Sequence, residues 1–113
     1  MTRAAIALLA TILLLPTTPA RADAIDGDWC SRDGRNLSIR GPEITTPGGT
    51  RMQADYDRHH FHYVVPAAEP GAGQHVFMTL RGDHLGHLRM AADAQAAAAA
   101  PIQEWRRCAP ATS

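Results

Sequence analysis

His60-Phe61-His62-Tyr63-Val64-Val65, Gln74-His75-Val76-Phe77-Met78-Thr79-Leu80-Arg81 and Leu85-Gly86-His87-Leu88-Arg89-Met90 decide how this chain folds. In each run, side chains two apart are apolar and the residues between them are mostly polar, the period of a half-buried strand. Phe61, Tyr63 and Val65 share one face. Val76, Met78 and Leu80 share the next, and Leu88 and Met90, with Gly86, the third. Joining these faces in antiparallel pairs predicts Phe61 opposite Leu80, Tyr63 opposite Met78 and Val65 opposite Val76. It also predicts Val76 opposite Met90 and Met78 opposite Leu88, with a three-residue turn at 82–84. A slip of one residue would turn every one of these side chains outward. The same register aligns His62, Thr79 and His87 in a row on the other face, with His60 one pair away. Phe61, Tyr63, Val76, Met78, Leu80 and Leu88 are the expected core.

Turn residues punctuate the rest at short intervals. Arg32-Asp33-Gly34-Arg35, Gly41-Pro42, Pro47-Gly48-Gly49 and the loop from Pro66 to Gly73 separate segments of strand character. Thr50 to Tyr56 reads as one strand and Ile102 to Cys108 as the last. The alanine-rich stretch from Ala91 to Ala100 is left open between one or two helical turns and a loose connection, ended by Pro101. The expectation is an all-β domain: a small antiparallel barrel or curled meander of six to eight strands, closed by one disulfide.

The two cysteines, Cys30 and Cys108, stand at opposite ends of this pattern. Residues 1–22 read as a secretory signal peptide: Arg3 near the start, an apolar run from Ala4 to Leu15 broken only by Thr11, then Ala20-Arg21-Ala22 before the cleavage point. That run is too short for a membrane span, which takes about 20 residues. Residues 23–113 then form a single small β domain, periplasmic or secreted. In an oxidising compartment two cysteines have one intramolecular option, a Cys30–Cys108 bond. Without the signal, nine arginines face eleven carboxylates, a balance close to neutral. That is no footprint for nucleic acid or an anionic membrane.

Six histidines invite a metal reading. A zinc or copper centre needs several nitrogens about 2.0–2.1 Å from one ion. His60 and His62 share a face, whereas His87 lies two strands away, so these candidates supply two ligands and no metal centre or other cofactor is expected. Ser31 and Ser38 stand in no nucleophile context, and Asp55, Asp57, Arg58 and His59 suit a polar turn. The glycine pairs follow proline turns and open no helix, which excludes phosphate loops. No catalytic residue is expected, and the chain is read as a non-enzyme.

Gly27-Asp28-Trp29 on the first strand, with Arg106 and Arg107 on the last, resembles the calycin signature, in which a G-x-W packs against an arginine from the final strand. Length, export and a single disulfide are similar to the small bacterial barrels that inhibit secreted metalloproteases, although only Asp23 to Asp26 would precede Gly27 as an inhibitory arm. The frame from Asp28-Trp29-Cys30 through Tyr56-Asp57-Arg58-His59 and Glu69-Pro70-Gly71-Ala72-Gly73 to Trp105-Arg106-Arg107-Cys108 also resembles a group of small exported proteobacterial single-disulfide proteins, a likeness that carries no chemistry. Together these imply an exported binding module acting on an envelope or secreted protein through its loops and outer sheet face. The alternatives are a periplasmic inhibitor of a secreted hydrolase and a metal-binding protein using the histidine-rich strand. Oligomeric state stays open.

Overall fold

The computed structural model describes residues 24–109. The signal-peptide reading of 1–22 lies outside them, as do the last residues, 110–113. The described chain is all-β with one short helix: β1 (Gly27–Cys30), β2 (Asn36–Arg40), β3 (Glu43–Thr45), β4 (Arg51–Gln53), β5 (Asp55–Asp57), β6 (His60–Val64), β7 (His75–Gly82), β8 (Leu85–Ala91), α1 (Ala94–Ala98) and β9 (Gln103–Arg107). Among the described residues, no helix is long and apolar enough to cross a membrane.

Sequence neighbours pair antiparallel throughout except β4 and β5, and β9 returns to pair with β1. The two ends of this sheet, β4 and β5, are separated in the chain by Ala54 alone. What reads in the sequence as one strand is therefore bent into two, the first half bonded to β3 and the second to β6. The result is a nearly closed barrel of nine strands, one more than the upper expectation because of that bend. Its interior holds Trp29, Leu37, Ile39, Ile44, Phe61, Tyr63, Val65, Val76, Met78, Leu88 and Trp105, all buried.

The expected β7–β8 register is found, with Val76 opposite Met90 and Met78 opposite Leu88. The expected β6–β7 register is corrected by two residues: Phe61 lies opposite Met78 and Tyr63 opposite Val76. A two-residue slip leaves inside and outside unchanged, so alternation cannot detect it. The loop decides. Val65 N–H donates to Gln74 O at 2.9 Å and Gly73 N–H donates to Val65 O at 2.9 Å, which sets the strand ends before Val76 can reach Val65. Leu80 then lies beyond the end of β6 and is only half-buried, a second correction. The β7–β8 turn also differs: an irregularity between Leu80 and Gly82 pairs Gly82 with Leu85 and leaves Asp83-His84 as the connection.

The alanine segment forms α1 because Asp93 caps it. The Asp93 carboxylate accepts from Ala96 N–H at 2.7 Å, which satisfies one of the otherwise unpaired first-turn donors. Ala97 is the buried residue of α1.

The β1–β9 seam is short, with only Trp29–Arg107 and Cys30–Arg106 in register. The Cys30–Cys108 disulfide staples it, with Cα atoms 5.0 Å apart at a sequence separation of 78. Below the seam the chain plugs its own base. Ile25 is fully buried; its N–H donates to Arg58 O at 3.1 Å and its carbonyl accepts from Trp29 Nε1 at 2.8 Å. The Asp26 carboxylate accepts from Gly41 N–H at 3.1 Å and from the Tyr56 hydroxyl at 2.6 Å. Arg107 completes the plug. Its guanidinium lies 4.4 Å from the Trp29 ring centroid and donates to the carbonyls of Asp83, Asp26 and Ala24. Gly27, with φ at +131°, is required here: a Cβ would stand 2.6 Å from Arg107 Nη1.

Candidate functional site at the open end of the barrel

Because the strands alternate in direction, the turns alternate between ends. The β2–β3, β5–β6 and β7–β8 turns join the plugged base. The β1–β2, β3–β4, β6–β7 and β8–β9 connections gather at the other end. There they frame a recess of about 270 Å³. Its wall is barrel interior: Tyr63, Val65, Val76, Leu88, Met90 and Trp105. Its rim carries Arg35, Pro47, Gly48, Glu69 and Pro70.

The rim is a fastened structure. The loop between β6 and β7 is the longest connection without a helix, and Glu69 fixes it across the mouth. Its carboxylate accepts from Thr46 Oγ1 at 2.6 Å and from Gly48 N–H at 3.0 Å. Burial works against ionisation of Glu69, but hydrogen bonds from Thr46, Thr50 and the Gly48 backbone outweigh it and hold the carboxyl below its ordinary range. Gly48 is needed for close approach, since a Cβ there would fall 2.3 Å from the Glu69 carboxylate. Arg35 is likewise engaged. Its Nε donates to Asp33 at 3.0 Å, its Nη2 donates to Gln103 Oε1 at 3.0 Å, and its guanidinium stands 5.2 Å from the Trp105 ring centroid. Hydrogen bonds from Ser31 and Arg35 keep Asp33 below the usual carboxylate range.

Inside the rim two polar groups face an apolar setting. Burial, reinforced by the negative charge of Glu69 and partly offset by Arg35, pushes the Tyr63 phenol up to about 12. It is therefore a hydrogen-bond donor at any physiological pH. The Trp105 indole N–H is buried without a partner among the described residues, at a cost of about 1–3 kcal/mol for such a group.

The histidines sit elsewhere, on the outer wall. The expected row of His62, Thr79 and His87 is corrected by the β6–β7 register. Thr79 lies between His60 and His87, while His62 faces Phe77 and, beyond it, Arg89. The expected pairing of His60 with His62 gives way to separate partners: His60 Nδ1 lies 3.7 Å from Asp57, and His62 is drawn to His75. His62 Nε2 is 2.8 Å from His75 Nδ1, and its Nδ1 is 3.1 Å from Asp55 Oδ2. The His62 ring stacks on Phe77 with centroids 4.3 Å apart. His75 escaped the sequence reading because the slipped register carried it past the end of β6. Among the described residues, no three His, Cys, Asp or Glu side chains are grouped to hold a metal ion.

Fold and site define the class: a small single-disulfide antiparallel barrel with a plugged base and an apolar, loop-framed mouth. Comparison with known protein families, with curated proteins and with solved structures finds no match.

Proposed function

We propose that this is an exported, non-enzymatic binding module that engages an envelope or secreted protein through the loops at its open end, taking one apolar side chain of that partner into the mouth. The observation that carries the reading is the asymmetry of the two ends. One is filled by the chain's own Ile25, and the other offers a preformed apolar recess with a fastened rim. Recesses that hold drug-sized molecules measure about 300–1,000 Å³. A volume of about 270 Å³ suits a single anchoring side chain, and interface energy concentrates in such anchors when they fill well-packed pockets. The state of the mouth's titratable groups favours binding over catalysis. Glu69 is held ionised by its donors and Tyr63 is held protonated, so neither is poised to exchange a proton near neutral pH. Export is supported by the formed disulfide and by the amino-terminal pattern. The placement of Arg107 over Trp29 beside Gly27 supports the calycin-like resemblance.

The test is photo-crosslinking in the native host. A crosslinkable residue at Pro47 or Pro70 is expected to capture one partner, whereas the same residue at Arg58 on the base captures none. Capture from the base and not the mouth would overturn the reading. If the captured partner is a hydrolase, assaying it with and without the barrel distinguishes an inhibitor from a passive binder.

A further inference from the structure

We propose that the partner side chain taken into the mouth is uncharged, with an apolar body and one hydrogen-bond acceptor for the Tyr63 hydroxyl, a description that tyrosine meets best. The proposal rests on the mouth being the binding end and names what enters it. Tyr63 is only 6% exposed and lines the recess. Among the described residues its hydroxyl has no hydrogen-bond partner. The two charges that reach the phenol are those of Glu69 and Arg35, both on the rim. The Trp105 indole N–H is sealed; the Tyr63 hydroxyl keeps accessible surface and can meet an occupant. In the open mouth that hydroxyl is within reach of solvent. An occupant that shuts water out without replacing its hydrogen bond loses affinity, because it leaves a buried donor unpaired.

Size and chemistry then select among side chains. A cavity of about 150 Å³ holds a benzene ring, so about 270 Å³ holds one ring with its substituents. Apart from Tyr63 the wall is apolar: Val65, Val76, Leu88, Met90 and Trp105. Leucine, isoleucine and phenylalanine have the body and no acceptor. Tryptophan brings a donor only, and the methionine sulfur accepts weakly. Glutamine, asparagine and histidine bring a second polar atom, which this wall would leave unpaired. A carboxylate accepts strongly, but Glu69 stands ionised at the rim and repels it. A lysine or arginine would carry an unpaired charge into an apolar recess, at high cost. Tyrosine has a ring and one polar atom. Its hydroxyl accepts from Tyr63 while its own proton can rotate toward the opening. Met90, only partly buried, adds a polarisable sulfur of the kind that favours a ring edge.

The experiment titrates the disulfide-closed protein with p-cresol, which is the tyrosine side chain alone, with toluene, which lacks the hydroxyl, and with 4-methylbenzoate, which carries a charge. Methyl signals of Val76, Leu88 and Met90 in nuclear magnetic resonance spectra report binding at the mouth. p-Cresol should bind one per chain, about three- to tenfold more tightly than toluene, the worth of one hydrogen bond. 4-Methylbenzoate should bind more weakly than p-cresol. Tyr63→Phe, checked by circular dichroism for a retained barrel, should erase the preference for p-cresol and leave toluene bound at least as well. The comparison of probes on the unaltered protein stands even if that variant unfolds. Toluene binding as tightly as p-cresol, a preference that survives Tyr63→Phe, tighter binding of 4-methylbenzoate, or no probe moving the mouth signals would each overturn the proposal. None of these touches crosslinking at Pro47 or Pro70, which tests whether the mouth meets a partner at all.

Discussion

Removing the Arg107 guanidinium should loosen the base of the barrel more than any other single surface-accessible change. The side chain donates to three carbonyls, those of Asp83, Asp26 and Ala24, and so ties the amino-terminal plug to the β7–β8 turn. A hydrogen bond involving a charged group contributes about 1.5–3 kcal/mol, so three would sum to roughly 4.5–9 kcal/mol if fully buried. Arg107 is only half-buried, and water will recover a good part of those bonds in the variant. About 2–4 kcal/mol should remain. The contact with the Trp29 ring adds about 0.5–2 kcal/mol. The expected loss for Arg107→Ala is thus about 3–5 kcal/mol, a large share of the roughly 5–15 kcal/mol that holds a small domain. Urea unfolding followed by tryptophan fluorescence measures it, with the midpoint shifting and the slope unchanged. Arg107→Lys should recover less than about 1 kcal/mol, because an ammonium cannot span three divergent carbonyls. A loss below about 1 kcal/mol for the alanine variant, or full rescue by lysine, would refute the claim that this fork holds the plug.

Replacing both Cys30 and Cys108 with serine should lower stability by up to about 4.5 kcal/mol, the chain-entropy value for a closed loop of 78 residues; calorimetry of oxidised protein against the double variant checks it. Glu69 has a lowered folded pKa, so its stabilising effect is present above its ordinary value of 4.5 and is lost as pH falls through the folded pKa. Glu69→Gln should accordingly flatten the acid limb of a stability–pH curve below about pH 4.5. Tyr63 has the opposite sign. Its stabilising effect is complete below 10 and disappears as pH rises from 10 to about 12, so Tyr63→Phe should remove an alkaline loss of about 3 kcal/mol. Met78→Ala should cost about 2–5 kcal/mol, while Thr79→Ala on the exposed side should stay within about 0.5 kcal/mol; equal losses would mean that the two faces of β7 are equally packed.

Alternation along 60–65, 74–81 and 85–90 was enough to read the barrel, the inward faces and the β7–β8 register. It fell short at β6–β7, where the decision lies in the loop hydrogen bonds of Val65 with Gly73 and Gln74. Side-chain parity is blind to a shift of two. That single slip displaced the outer face as well, replacing a His62–Thr79–His87 row with the His62–His75 pair. The bend at Ala54 was likewise silent, since Thr50 to Tyr56 contains no proline or glycine to mark it. The mouth was illegible for a different reason. Tyr63, Val76 and Leu88 were readable as interior, but an interior that stays open depends on the amino terminus filling one end only. Nothing in the composition near Ile25 announces that. Asp93 as a helix cap was in plain view, three residues ahead of the N–H it accepts from, and would have settled the alanine segment.

The order in which this barrel can close has a consequence for how it matures. All of its ladders but one join strands adjacent in the chain, so hairpins form locally and quickly, and only the β1–β9 seam must wait for the two ends to meet. The cysteines mark that last step. At about 5–20 residues synthesised per second, the 78 residues of separation between them put Cys30 about 4–16 s ahead of its mate. During that interval the thiol has no partner within its own molecule, and a disulfide it makes is to another molecule, a second copy of the chain included. Crowded or rapid production should therefore yield crosslinked dimers through Cys30, and a slower supply of chain should yield closed monomers from the same sequence.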